Sequence, residues 1–577
     1  MEKSFMTNVI GRFYEPDVIG SCISSLIQTP FWSEDSDGVI QKFEDVNRQI
    51  YFSKTLPSFG FYNMPDGNKL VPIQVSGNVA RRITHRDLRD YASYILNRLP
   101  IGNRILDQMT MEWNKFFSEN VLTSFRCVEK PFLHDTRTSA YRFYRNGAVQ
   151  IDSKSDSVTL IPYDQLDALV WASDIIDRDF DGSAFDGGFD QESFLEDITD
   201  KGGHQFHKWC QNLCKSQDHD GSWVYSKNRF KALASGFGYL LHQKWNDSKC
   251  VIFIDEDLQQ GSANGRTGKS VVLNDALSHL LPTIVIDAKQ VKKGSGNQFT
   301  FNFVNEDTRY ICLDDACEDF AFESLFSVIT GDLTVNKKYG GITKFSKNAK
   351  PKMSISSNHP ISGDGASYQD RQHPVEIGGF YRFNKFELGK TPDSFHGGFL
   401  FDDEWSDENW SQFDLFAVRS LFYYLKNGLL NTGCSGKYHY NKLVASVGST
   451  TLVNSITNFL QENEGVEVYS KFVDGMTEEE KLRCFRDFVV VSGAEEGETY
   501  SPNQASTALL LVADYLGYNK NVGMKDRNQK RFGPQKKAVD RFVFTKKSTP
   551  FSTNSEQSLV AVDPGEELFS QLDPTRG

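Results

Sequence analysis

Eight consecutive residues, Ala263, Asn264, Gly265, Arg266, Thr267, Gly268, Lys269 and Ser270, carry the chemistry that a polyphosphate needs. A triphosphate asks for backbone N–H groups aimed at its oxygens, a helix N-terminus, one mobile cation and a hydroxyl for magnesium. Gly265 and Gly268 permit the tight wrap, Lys269 supplies the cation and Ser270 a metal ligand, so the stretch is expected to bind ATP with Mg2+. Ala263 stands where the strict pattern has Gly. A second acidic group must hold the metal from its far side and polarise water for in-line attack. The run Tyr310-Ile-Cys-Leu-Asp-Asp315 offers it; Asp314 is assigned to magnesium through water and Asp315 to the attacking water. Asn358 ends a further alternating apolar run from Pro351 and can orient water beside the γ-phosphate, as a sensor. Arg371, in a polar loop beyond it, is the candidate to reach the γ-phosphate held by a neighbouring subunit, with Arg382 as its rival.

These groups need elements to position them. Lys249 to Glu256 is a short continuous apolar run, as in a strand buried on both faces, and the residues after Lys269 are apolar at helical spacing up to Pro282. A strand is expected to feed the loop and a helix to leave it. Two short alternating runs around Gly340-Gly341 read as a hairpin. From Leu333 to Lys352 there are six lysines and no acid, so Lys337, Lys338, Tyr339 and Lys344 are candidates to contact single-stranded DNA by charge and stacking.

A chain of 577 residues exceeds one core, and several domains are expected. Residues 1–84 yield no motif. In 85–200, Leu88, Tyr91, Ile95 and Leu99, then Ile105, Met109, Trp113 and Phe117, have helical spacing, and Tyr141 to Ile161 alternates like strands. The segment ends at Asp174 to Asp200, ten acids against Arg178 alone, which reads as a solvated loop. Residues 201–430 hold the loop and its acids. In 431–549, a capping box at Thr477 and Glu480, a Ser501-Pro502 start and an apolar run from Arg541 suggest a small winged-helix-like domain. Nine basic residues lie between Lys525 and Lys547, so nucleic-acid contact is expected in the second half despite a net charge of −13. The tail 550–577 is polar and expected to be disordered.

No run of 18 apolar residues and no apolar signal core after Met1 are found, and nine scattered cysteines suit reduced thiols. The expectation is a cytoplasmic protein without a membrane partner. His204, His207, Cys210, Cys214 and His219 lack the paired knuckles of a zinc site. Asp177 to Gly182 starts like a calcium loop but has Gly188 where a bidentate Glu is needed. Asp177, Asp179 and His204 are too compressed for a primase centre, and no paired histidines mark a nicking enzyme.

The order of loop, double-Asp strand, basic hairpin, Ser-Asn strand and trailing Arg resembles a superfamily 3 helicase of phage and plasmid primase-helicase proteins. Tyr141 to Gly147, Val170 to Phe180, Gly236 to His242 and Leu325 to Asp332 extend the likeness over roughly 85–430. The resemblance implies an α/β architecture with an AAA+ core, assembly as a ring hexamer, and ATP-driven translocation on single-stranded DNA in a bacterial host cell, alongside replication proteins. It implies Lys269 and Ser270 for nucleotide and metal, Asp314 and Asp315 for hydrolysis, Asn358 as sensor, Arg371 as a finger acting in trans, and Lys337 and Lys338 as channel contacts. The sequence departs from the pattern at Ala263 and at Gln372 beside Arg371. An AAA+ ATPase acting on a protein partner, a scaffold that uses ATP only to assemble, and a bifunctional primase-helicase are the competing readings.

Overall fold

The computed structural model describes residues 11–66, 69–244, 248–256, 265–291, 299–317, 320–337, 341–361, 363, 366–432, 434–489, 499–520 and 529–546. Ala263, Asn264, Lys338, Tyr339 and the tail 550–577 lie outside them. The chain forms two compact units, 1–446 and 447–577.

In the first unit, helix Pro16–Gln28 starts on a proline and buries Ile19, Cys22 and Leu26 on one face. Antiparallel strands Phe61–Asp66, Lys69–Ser76 and Val79–Arg82 follow. Thr84 then opens helix His85–Leu96 with a reciprocal cap to Asp87, and Leu88, Tyr91, Ala92 and Ile95 face inward. One hydrophobic cluster runs from Phe13 to Phe125. That core spans the division at 84 read from the sequence, because the helical face beyond Thr84 has no other apolar surface to cover it. A second antiparallel sheet, Ser139–Tyr144, Gly147–Asp152 and Ser157–Ile161, is extended by Ile175–Ile176.

The acidic stretch is not the solvated loop expected. Phe180, Phe185, Phe189, Phe194 and Leu195 are buried in the same core as the helices behind the central sheet. Its single base, Arg178, makes a two-pronged bond to buried Asp414 at 3.1 and 2.7 Å. Charge density hid these apolar residues, and the division near 200 also lies within one core.

A five-stranded parallel sheet organises the rest of this unit. Its spatial order is Thr283–Asp287, Tyr310–Ala316, Lys352–Ser357, Cys250–Asp255 and Gln372–Ile377. Along Cys250–Asp255, Val251 and Phe253 pack into one core, while Cys250, Ile252 and Ile254 pack into the other. Both faces are covered, which accounts for the unbroken apolar run. Helices Lys227–Leu241 and Asp407–Asn427 cross on one face. Arg229 spans to Glu256 and to buried Glu376, both at 2.9 Å, holding the ends of two adjacent strands together.

The second unit contains helices Thr450–Glu462, Glu478–Leu482 and Pro502–Tyr515. The long strand Lys537–Lys546 pairs antiparallel with Glu467–Tyr469, Tyr518–Lys520 and Gln529–Phe532. The caps at Thr477 and Ser501 form as read, and Glu467–Tyr469 is a strand too short to show a period. Among the described residues no helix is long and apolar enough to cross a membrane.

Candidate active site

In parallel sheets, ligand sites gather at the carboxyl ends of the strands, where successive connections leave in opposite directions. Cys250–Asp255 is such a point: the chain next builds strands on one side of it, then returns to place Gln372–Ile377 on the other. Gly265 to Ser270 follow this strand in sequence, and Thr267 and Lys269 reach its last residue, Asp255. Gly268 has φ +98°, and a Cβ there would come 2.9 Å from the Trp209 ring, so the wrap requires glycine. The helix expected after Lys269 is present but wound wide, as a π-helical run Val271–Ala276.

Lys352–Ser357 lies between the loop strand and the acidic strand. This order brings Asn358 between Lys269 and the two carboxylates. Lys269 Nζ donates to Asn358 Oδ1 at 2.9 Å, and Asn358 Nδ2 donates to Asp315 Oδ1 at 3.1 Å. Ser270 Oγ donates to Asp314 Oδ1 at 3.3 Å. Asp315 has φ +59°, and the pairing register shifts between Leu313 and Ala316. The irregularity turns two successive Asp side chains toward one site, where regular pleating would send them to opposite faces.

Three further residues belong to the site. Asp255, the last residue of the loop strand, is 2% exposed and accepts from Lys269 at 2.5 Å and from Thr267 Oγ1 at 2.6 Å. Its Oδ2 has no hydrogen-bond partner among the described residues. Burial pushes the Lys269 ammonium below its ordinary value, and Asp255 foremost, then Asp315 and Asp314, act against that shift. Ser356 Oγ donates to Asp314 and accepts from the Asp315 amide at 2.9 Å, so one hydroxyl seats both acids. Lys289 forms an ion pair with Asp315. Asp255 and Ser356 were visible only as strand residues, though a carboxylate ending an apolar run beside a glycine loop is a usable signal. Nothing in the spacing of Lys289 announces its role.

Arg371 is not brought to this site within the chain. It precedes Gln372–Ile377, whose Gln372 is level with Cys250 and whose Ile377 is level with Asp255, so it lies at the opposite end of the sheet. Six residues at ~3.3 Å each separate the two ends by about 20 Å. Its Nη1 donates to Ser367 O at 2.7 Å and its guanidinium lies 4.6 Å from the Phe326 ring centre. Lys337 and Lys344 lie on the expected hairpin, Leu333–Lys337 against Gly341–Phe345, and Lys344 pairs with Asp332 at 2.9 Å. His207, Cys210 and Cys214 are buried in or at the end of helix Gln205–Leu213, and His219 is exposed in a turn.

No family model matches the chain, and no curated protein matches it. Three solved apo structures of the NrS-1 C-terminal region are similar to it, each at 10% identity. The first covers 85% of this chain and 98% of its own at a TM-score of 0.39. The second covers 86% and 98% at 0.38, and the third 86% and 99% at 0.37.

Proposed function

We propose that this chain is an ATP-driven ring helicase of the superfamily 3 type, with an AAA+ core, that translocates on single-stranded DNA during replication of a phage or plasmid-like element. One observation carries the reading: a cation, a hydroxyl, two carboxylates and an amide, from three separate segments, converge at the carboxyl edge of one parallel sheet.

Lys269, once drawn off Asp255, neutralises the terminal phosphates, while the Gly265 to Ser270 amides hold the remaining oxygens. Ser270 and Asp314 present facing oxygens, the hard donor set that Mg2+ accepts together with water and phosphate. When bound, the metal supplies charge neutralisation on the phosphoryl oxygens. Asp315, held by Asn358 on one oxygen and Lys289 on the other, orients the attacking water and takes its proton. Asn358 touches both Lys269 and Asp315, so occupation of the loop is felt at the hydrolytic carboxylate. Arg371 serves a neighbouring copy's site in this scheme. Lys337, Lys338, Tyr339 and Lys344 contact DNA, and the winged-helix-like 431–549 segment aids loading through its basic stretch from Lys525 to Lys547.

The test is ATP hydrolysis with and without single-stranded DNA. DNA is expected to raise the wild-type rate, and Lys269→Ala to lower the rate by about 10²–10³ in either case. An unchanged rate in Lys269→Ala would remove the site. A rate insensitive to DNA but raised by a protein partner would move the motor to the protein-remodelling class.

A further inference from the structure

The acids define one end of the bound triphosphate, and the sheet order defines the direction of the other. Asp314 and Asp315 lie two strands to one side of the loop strand, so a γ-phosphate near them leaves the α-phosphate, ribose and base running the opposite way. On that side lies Gln372–Ile377, which continues into helix Phe380–Glu387. Phe386 on this helix is 58% exposed. A lone exposed Phe needs no explanation. This one is covered by the loop's own Arg266, whose guanidinium carbon lies 5.6 Å from the ring centre. Arg266 is itself in the left-handed region at φ +71°, a conformation that costs a non-glycine residue energy and recurs where ligands are clamped.

We propose that Phe386 and Arg266 form the nucleobase site of this protein, with the base stacked between the Phe386 ring and the Arg266 guanidinium. The inference rests on the loop's binding a nucleoside triphosphate and adds where its base goes. Both partners suit a flat heteroaromatic ring, since bases stack on aromatic side chains and on guanidinium planes alike. Arg266 lies over the ring face that the base takes. Binding widens the gap to about 7 Å, two stacking contacts of ~3.5 Å. Such stacking has no donor or acceptor pattern to read, so this contact favours any base and discriminates little between purines.

The experiment compares the affinities of Mg-ATP and Mg-tripolyphosphate, the same phosphate chain without a nucleoside, for wild type, Phe386→Ala, Phe386→Trp and Lys269→Ala. Phe386→Ala should weaken ATP about tenfold and leave tripolyphosphate unchanged, while Phe386→Trp retains ATP. A ring this exposed contributes little to folding, and equal melting temperatures of the variants check that. Unchanged ATP affinity in Phe386→Ala, or equal weakening of both ligands, overturns the base site. Unchanged affinity for both ligands in Lys269→Ala overturns the phosphate loop itself, which is a different failure.

Discussion

Lys269 is the residue on which the site turns, and among the described residues it bonds to Asp255, Thr267 and Asn358. A cation so enclosed is tolerable only while an anion is beside it. On the function proposed above, ATP competes for Lys269 with Asp255, a carboxylate that is almost wholly shielded from water. Asp255→Asn keeps the shape and removes the charge, leaving a buried ammonium without its nearest anion. The nucleotide-free protein should lose about 3 kcal/mol, and Mg-ATP should restore more stability to the variant than it adds to wild type. Thermal unfolding with and without Mg-ATP measures both. An equal ATP-induced shift in the two proteins would mean that Asp255 does not compete with nucleotide.

At the scale of elements, the helix crossing behind the sheet is set by one glycine. A Cβ on Gly238 would lie 2.1 Å from the Ser420 carbonyl oxygen and 2.8 Å from the Tyr424 Cβ. Helix propensity alone favours Ala over Gly by about 1 kcal/mol. The clash is with backbone, which cannot swing aside, so Gly238→Ala should destabilise by a net ~1–3 kcal/mol in urea unfolding; a gain would show that the helices are not so close. The strands and caps were legible because each is a local pattern: the Cys250–Asp255 run, the Lys352–Ser357 alternation, the Thr477 and Ser501 starts. The acidic stretch defeats a local reading because its buried apolar residues, Phe180, Phe185, Phe189, Phe194 and Leu195 among them, are interleaved with acids and follow no single period. Their burial depends on helices more than two hundred residues away, such as Asp407–Asn427 against Phe189.

The molecule as a whole should be acid-sensitive. Burial pushes His207 down to about 3 and His242, His279 and His396 to about 4, all within the 1–446 unit. As pH falls below about 6.5 the unfolded chain takes up protons that the folded histidines refuse. Their contribution is therefore complete above pH 6.5 and is lost progressively down to about pH 4, at ~1.4 kcal/mol per pH unit for a fully shielded group. All eight tryptophans lie in residues 1–446, so tryptophan fluorescence follows this unit alone. Its melting temperature should fall steeply between pH 6.5 and 4. His207→Phe, which preserves stacking on Phe230, should flatten part of the slope. A profile level through that window would mean the histidines are solvated.

What the sequence by itself determined is local and one-dimensional: the glycine loop with its Lys and Ser, the apolar runs that become strands, the paired acids, the caps. Each depends on a few neighbouring residues whose backbone chemistry leaves little choice. What only the tertiary structure decided is which of these meet. The spatial order of the strands places Asn358 between Lys269 and Asp315, sends Arg371 to the far end of the sheet, and gives Asp255, Ser356 and Lys289 their contacts. Strand order follows from how two apolar faces are covered at once, and that requirement is spread over the unit rather than written at any one position.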